Sequence, residues 1–137
     1  MSKLSRRHFI TNTGRAALIT GFASLTNTTA SAMTANNLFV HHVFFYLKNP
    51  SSTADRDKLV EGLKKLSKVK TIKSFHIGKP ANTNRDVIER GYAVSWMLHF
   101  NTPAEQESYQ TDPIHLKFIE DCSSLWEKVV VYDSVDI

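Results

Sequence analysis

The segment from Leu38 to Lys48 constrains the fold most, because it predicts a β-strand with large apolar groups on both faces. Side chains alternate along a strand. One face carries His41, Val43, Phe45 and Leu47, and the other carries His42, Phe44 and Tyr46. A sheet with helices on one side only normally has a polar outer face. The second apolar face therefore predicts a further covering surface, and we expect a second copy of the chain.

The remaining patterns predict three more strands and helices with recognisable starts. Ser52 and Asp55 open a helix whose leucines follow at three- and four-residue spacing. Thr102-Pro103 and Asp112-Pro113 each combine an N-cap with a proline at the first helical position. The later strands are expected at residues 71–78, 91–100 and 128–135, and alternation along the strand at 91–100 puts Tyr92 on the same face as Val94 and Trp96. The order β-α-β-β-α-β, with the second helix broken in two, predicts a ferredoxin-like α+β plait with a four-stranded antiparallel sheet.

Residues 1–32 are predicted to be a twin-arginine signal peptide and not part of the fold. Arg6-Arg7 precedes a short apolar run that ends in Ala30-Ser31-Ala32, a small-x-small cleavage site. The run is shorter than the roughly 20 residues that cross a bilayer. We expect residues 33–37 to be a short linker, residues 38–137 to be the folded domain, and the protein to be periplasmic or secreted.

Charge and cysteine content exclude several classes of protein. The whole chain has 17 basic and 13 acidic residues and a formal charge of +4, but four basic residues and no acidic one lie in residues 1–32. The remaining part is close to neutral, so no basic surface for a nucleic acid is expected. Cys122 is the only cysteine. It rules out an intrachain disulfide, and its helical pattern predicts a small core residue.

A phenol and an imidazole flank the predicted helix break. Tyr109 lies before Asp112-Pro113 and His115 follows it. With Asp112 as N-cap, His115 takes the third helical position, where the helix dipole favours the neutral imidazole. A neutral imidazole can remove a proton from carbon, and Tyr109 can hydrogen-bond the developing enolate or hold His115 in one tautomer. The alternative is that both side chains satisfy backbone groups of the break.

Several short motifs, taken in order, resemble the Dabb family, the stress-responsive A/B barrel domain. They are His41-His-Val-Phe-Phe-Tyr-Leu-Lys48, Gly78, Arg90-Gly91-Tyr92, Tyr109-x-x-Asp112-Pro113-x-His115-x-x-Phe118, and Trp126-Glu-Lys128. The resemblance spans about residues 39–135. It implies dimers whose sheets pack face to face as an α/β barrel, in agreement with the doubly apolar first strand.

The resemblance also implies a site. A plant polyketide cyclase of this family performs intramolecular aldol chemistry without a cofactor, and its catalytic histidine and tyrosine correspond to His115 and Tyr109. Its first-strand histidine corresponds to His41, which is otherwise expected to be a satisfied core histidine. Its pocket lining corresponds to Val43, Phe45, Leu59, Leu63, Phe118 and Trp126. Two departures are Asp112, in place of a histidine, and Trp96, which replaces a smaller aliphatic residue and narrows the expected cavity.

Three functions remain open at the level of sequence, and whether the chain is an enzyme is one of the open points. The first is a cofactor-free lyase or cyclase that acts on a polyketide-like or aromatic carbonyl compound. The second is a dimer that binds a small hydrophobic molecule, including haem, without turnover, and the third is a structural stress-response dimer. No metal site is expected, because His41 and His42 point to opposite faces and no spacing pairs His76 with His99. No nucleic-acid partner is expected, and no membrane contact after signal cleavage.

Overall fold

A computed structural model describes residues 38–137. The predicted signal peptide and linker lie outside the described residues. The elements are β1 (Phe39–Leu47), α1 (Thr53–Leu66), β2 (Ser74–Gly78), β3 (Val94–Phe100), α2 (Pro103–Thr111), α3 (Pro113–Cys122), a 3₁₀ turn (Ser123–Leu125) and β4 (Trp126–Val135). This order confirms the predicted one, including the division of the second helix.

All three predicted helix starts are confirmed by their capping bonds. The Ser52 hydroxyl accepts a hydrogen bond from the Asp55 amide, and Thr102 accepts one from the Glu105 amide. Asp112 caps α3 by accepting from the Ile114 amide at 2.8 Å. These bonds satisfy backbone amides that have no partner inside the helix, so each helix begins directly after its N-cap residue.

The four strands form one antiparallel sheet in the order β2-β3-β1-β4. The central strand β1 pairs with both β3 and β4, so that His41 lies opposite Leu98 on one side and Asp133 on the other. This is the ferredoxin-like plait predicted from the element order. It places the first and last strands, which are far apart in sequence, side by side.

The core lies between the helices and one face of the sheet, here named the helix face. Its buried residues are Val43, Phe45, Leu47, Leu59, Leu63, Leu66, Val69, Val94, Trp96, Leu98, Phe100, Tyr109, Phe118, Cys122 and Leu125. The alternation predicted for β1 is confirmed: His41 is only 6% exposed, whereas His42 is half-buried on the opposite side. Burial of Cys122 confirms its predicted core position.

The other side of the sheet, here named the open face, carries aromatic side chains. The Phe44 ring lies 4.2 Å from His42, 4.9 Å from Tyr92 and 5.9 Å from Tyr132, centroid to centroid. Tyr132 remains 65% exposed. Within residues 38–137 this apolar face has no covering element, as the pattern of β1 predicts. Among the same residues, no helix has the length and apolar character needed to cross a membrane.

The strand boundaries differ from the predicted ones. Strands β2 and β3 begin three residues later than expected, and β4 begins at Trp126. The prediction that Tyr92 shares the face of Val94 and Trp96 is wrong, because the Tyr92 ring packs on Phe44 at the open face. Pairing with β1 ends at the bond from the Ala93 amide to the Phe45 carbonyl. Before that point the chain leaves the sheet, and strand alternation no longer directs its side chains.

Candidate functional site

A cavity of about 330 Å³ lies between the helix face and the break that separates α2 from α3. This volume is at the lower end of the range for small-molecule pockets. The lining residues are His41, Val43, Phe45, Trp96, Tyr109, Gln110, His115, Phe118, Ile119, Trp126, Val129 and Val131. The three residues predicted from the cyclase-like pattern, His41, Tyr109 and His115, therefore share one cavity. Its rim on β4 is accessible, since Val131 is 46% exposed.

The helix break brings Tyr109 and His115 together. Tyr109 lies in the last turn of α2, and Asp112 ends that helix while capping the next one. His115 consequently takes the third position of α3, as predicted. The two rings pack with their centroids 4.6 Å apart, and Tyr109 is almost completely buried. The His41 ring lies edge-on to Tyr109 at 5.9 Å, so the phenol stands next to both imidazoles.

The hydrogen bonding of His115 leaves one of its ring nitrogens basic. Its Nδ1 lies 3.1 Å from the Gln110 carbonyl oxygen. A carbonyl oxygen only accepts, so Nδ1 carries the proton and, in the neutral ring, Nε2 holds a lone pair. Burial lowers the pKa of His115 below its ordinary value of 6.5. The direction is that of the predicted bias toward the neutral base, but its largest cause is burial, whereas the prediction rested on the helix dipole.

His41 is held in the same tautomer by a residue that the sequence analysis did not identify. Its Nδ1 lies 2.6 Å from a carboxylate oxygen of Asp133, its direct partner in the pairing of β1 with β4. An ionised carboxylate only accepts, so Nδ1 donates and Nε2 is left free. One sequence signal existed: Asp133 interrupts an apolar strand, where aspartate is disfavoured.

Trp96 contributes to the site through a hydrogen bond as well as through the size of its side chain. It lines the cavity, as the expected narrowing requires, and its indole N–H donates to the Tyr109 hydroxyl oxygen at 3.3 Å. This bond occupies an acceptor position of the phenol and leaves its O–H free to donate elsewhere. Burial raises the pKa of Tyr109 far above its usual range. Tyr109 is therefore a neutral hydrogen-bond donor at any physiological pH.

The predicted lining residues divide into two groups. Val43, Phe45, Phe118 and Trp126 line the cavity. Leu59 and Leu63 do not: both lie on α1 and are fully buried in the core, outside the cavity lining. Gln110, Ile119, Val129 and Val131 line it without having been predicted. The two leucines satisfy a helical core pattern, and spacing along α1 does not distinguish the core from a cavity wall.

Residues 38–137 contain no group of three or more His, Cys, Asp or Glu side chains that could hold a metal ion.

Comparison with known proteins gives one family match and several solved structures of the same fold. Residues 39–136 match the Dabb family, the stress responsive A/B barrel domain. A Dabb family protein with a ferredoxin-like fold from Mesorhizobium loti is 24% identical, with a TM-score of 0.61 over 73% of this chain and 97% of that one. No curated protein matches the sequence significantly.

Two further solved structures have the same fold, one described as a hydroxynitrile lyase and the other as a dimeric protein of unknown function. Hydroxynitrile lyase from Passiflora edulis is 20% identical, with a TM-score of 0.62 over 74% of this chain and 95% of that one. A dimeric ferredoxin-like protein of unknown function from Thermobifida fusca is 13% identical, with a TM-score of 0.60 over 72% and 91% of the two chains. At these identities the likeness establishes the fold.

Proposed function

Since this chain belongs to the Dabb family, whose fold it shares with a lyase from Passiflora edulis, we propose that it is a cofactor-free lyase or cyclase. Its substrate is a polyketide-like or aromatic carbonyl compound, and His115 is the general base. The observation that carries this proposal is the His115 tautomer. His115 lies in the cavity wall, its pKa is lowered, and its Nε2 holds a lone pair. Such an imidazole can act as the base that removes a proton from carbon.

Tyr109 and His41 supply the two other functions of such a site. Tyr109 stays protonated, and Trp96 occupies an acceptor position on its oxygen. The phenol proton is thus available to the enolate oxygen as charge develops there. His41, oriented by Asp133, presents a second imidazole to the same cavity. Its Nε2, which holds a lone pair in this tautomer, is placed to accept a hydrogen bond from a hydroxyl group of the substrate or of its enol.

The proposed reaction needs no external oxidant or cofactor. His115 Nε2 takes a proton from the carbon next to a carbonyl group, which leaves an enolate and an imidazolium. The enolate carbon then forms a bond to a second carbonyl carbon of the same molecule, and the oxygen of that carbonyl takes the proton from the His115 imidazolium, which restores the neutral base. The reverse sequence breaks the carbon–carbon bond, so one site serves a cyclase or a lyase. The apolar lining from Val43, Phe45 and Phe118 strengthens these contacts by excluding water.

The proposal is tested by proton exchange at carbon, with acetophenone as the probe in D₂O. The wild-type chain is expected to accelerate loss of the methyl proton signal, and His115→Asn to lower that acceleration by about 10²–10⁴-fold, the usual contribution of a positioned base. Because the pKa of His115 is lowered and the neutral ring is active, the rate is expected to fall with decreasing pH at a midpoint below 6.5.

His99→Asn is the matched control, because His99 lies outside the cavity lining and its ring is hydrogen-bonded to Ser74. This variant is expected to keep the wild-type rate. Equal exchange rates in the wild-type chain and in His115→Asn would remove the general-base assignment.

A second candidate is binding of a small hydrophobic molecule without turnover. The largely apolar wall of the cavity, which includes Phe45, Phe118 and Trp126, favours it, because such a wall binds a hydrophobic molecule whether or not a reaction follows. Haem belongs to this class, and Nε2 of His41 or His115 would bind its iron. Binding without any exchange at carbon would support this candidate over the lyase or cyclase.

We also propose that the chain forms a dimer and is exported. The aromatic open face around Phe44 and Tyr132 has no cover within residues 38–137. A second copy packed on it would complete a barrel, and the related Thermobifida fusca protein is described as dimeric. The Arg6-Arg7 signal sequence supports export to the periplasm or beyond.

A further inference from the structure

Three side chains with metal-binding atoms form a row across the open face, on the side of the sheet opposite the cavity. Met97 on β3 pairs with His42 on β1 and with His76 on β2. Neighbouring strands are about 4.8 Å apart, so the backbone of each histidine is one strand spacing from that of Met97, and the three side chains leave the same face of the sheet. This arrangement cannot be seen in the sequence, where the three residues are separated by loops and by α1.

The two histidines of this row differ from the others in their hydrogen bonding. In His41, His99 and His115 the Nδ1 atom is bonded to Asp133, Ser74 and the Gln110 carbonyl, respectively. Within residues 38–137, neither ring nitrogen of His42 or His76 has such a partner. Their nitrogens are thus free to bind a ligand, whereas the other three rings are already engaged at one nitrogen.

Both imidazole rings of the row lean along the sheet toward Ser95, which precedes Met97 on β3. The His42 ring packs on Phe44 with its centroid 4.2 Å away, and the His76 ring lies against Gly78, where an added Cβ would come within 2.8 Å of it. Phe44 and Gly78 both pair with Ser95, two residues before Met97. The imidazoles therefore flank the strip of sheet between Ser95 and Met97, and the missing side chain of Gly78 makes room for one of them.

We propose that His42, Met97 and His76 bind a monovalent copper ion. Soft thioether sulfur selects Cu(I) over hard cations, and imidazole nitrogen is a good copper ligand. The row lies on the open face, between copies in the proposed dimer, where an ion is shielded from water.

The test is a competition for Cu(I) between the full-length chain and a chromophoric chelator, bicinchoninate, under anaerobic conditions at one fixed chain concentration. The wild-type chain is expected to withdraw Cu(I) from the chelator. Met97→Leu, which conserves side-chain volume, and His76→Asn are each expected to weaken Cu(I) binding by at least about tenfold, as loss of one ligand does. X-ray absorption of the copper-loaded wild type is expected to show one sulfur neighbour that Met97→Leu lacks.

Two matched controls locate the site. His99→Asn removes an imidazole from the same open face, and His115→Asn removes one from the cavity; both are expected to bind Cu(I) within about twofold of wild type. Unchanged affinity in Met97→Leu, or loss of binding in His115→Asn, would overturn the proposal. Because the row lies on the opposite side of the sheet, proton exchange at carbon is expected to persist in Met97→Leu, so this proposal and the proposed enzymatic function can fail separately.

Discussion

At the scale of single residues, His41 and His115 reach the same tautomer by different means. His115 is oriented by a backbone carbonyl, which is set by the helix break itself. His41 is oriented by the side chain of Asp133, 92 residues away in the chain. The first contact follows from local structure, whereas the second depends on one replaceable carboxylate. Asp133 is therefore the residue through which the role of His41 can be tested without removing the imidazole.

Asp133→Asn is expected to lower the acetophenone exchange rate about tenfold while the affinity for the probe stays within about twofold. Loss of one charge-assisted hydrogen bond corresponds to about 1.4 kcal/mol, and the loss falls on the positioning of His41. Nitrogen NMR is expected to show a single Nδ1–H tautomer of His41 in the wild type and a mixture in the variant. Asp136→Asn, which changes a carboxylate bonded to the Leu38 amide, is the control and is expected to change neither readout. An unchanged His41 tautomer in Asp133→Asn would contradict the positioning role.

At the scale of elements, two structural features position the site: the break between α2 and α3, and the close approach of α1 to α3. The break follows from Asp112-Pro113, which ends one helix and caps the next. The close approach depends on Gly62 in the middle of α1. A Cβ built there would lie 2.6 Å from the Cys122 sulfur and 3.2 Å from the Phe118 ring. Phe118 is also a wall of the cavity, so helix packing and cavity shape are linked.

Gly62→Ala is expected to destabilise the fold by about 1 kcal/mol, measured by urea unfolding. The helix-propensity gain of about 1 kcal/mol is outweighed by overpacking against two buried side chains, which costs about 1–3 kcal/mol. Removing the sulfur relieves the clash, so in a double-mutant cycle the Gly62→Ala change is expected to be less harmful in a Cys122→Ala background. A stabilising Gly62→Ala substitution would show that α3 shifts freely to accommodate the methyl group.

At the scale of the whole molecule, the sheet is the element that has two apolar faces. The helix face is closed by α1, α2 and α3, whereas within residues 38–137 no helix or further strand lies over Phe44 and Tyr132 on the open face. Exposed aromatic surface of this kind marks an interaction site. The proposed second copy would cover it, because a symmetric dimer brings the same patch of both copies together.

Native mass spectrometry of the protein recovered from its periplasm is expected to show a dimer of residues 33–137. Phe44→Glu is expected to give monomers, because it places a charge in the apolar interface. Leu116→Glu makes an equivalent change on the exposed surface of α3 and is expected to leave the dimer intact. A monomeric wild-type chain would contradict the sheet-to-sheet dimer, and an uncleaved N-terminus would contradict export.

Local patterns in the sequence were sufficient for the element order, the three helix caps and the two faces of β1. The same local reasoning placed Tyr109 and His115 together, because both flank one helix break six residues apart. Strand ends were misplaced by up to three residues, since a strand ends where its partner ends. Tyr92 was assigned to the wrong face for this reason.

What the sequence determined by itself is therefore periodic or local: side-chain alternation, capping and the spacing across one break are all set within a few residues. Only the tertiary structure decided which residues meet across strands. It brought Asp133 to His41, Trp96 to Tyr109 and Met97 between two histidines, and it kept Leu59 and Leu63 out of the cavity. The physical reason is that strand register and helix docking are set by the packing of the whole core, to which each local segment contributes only a part.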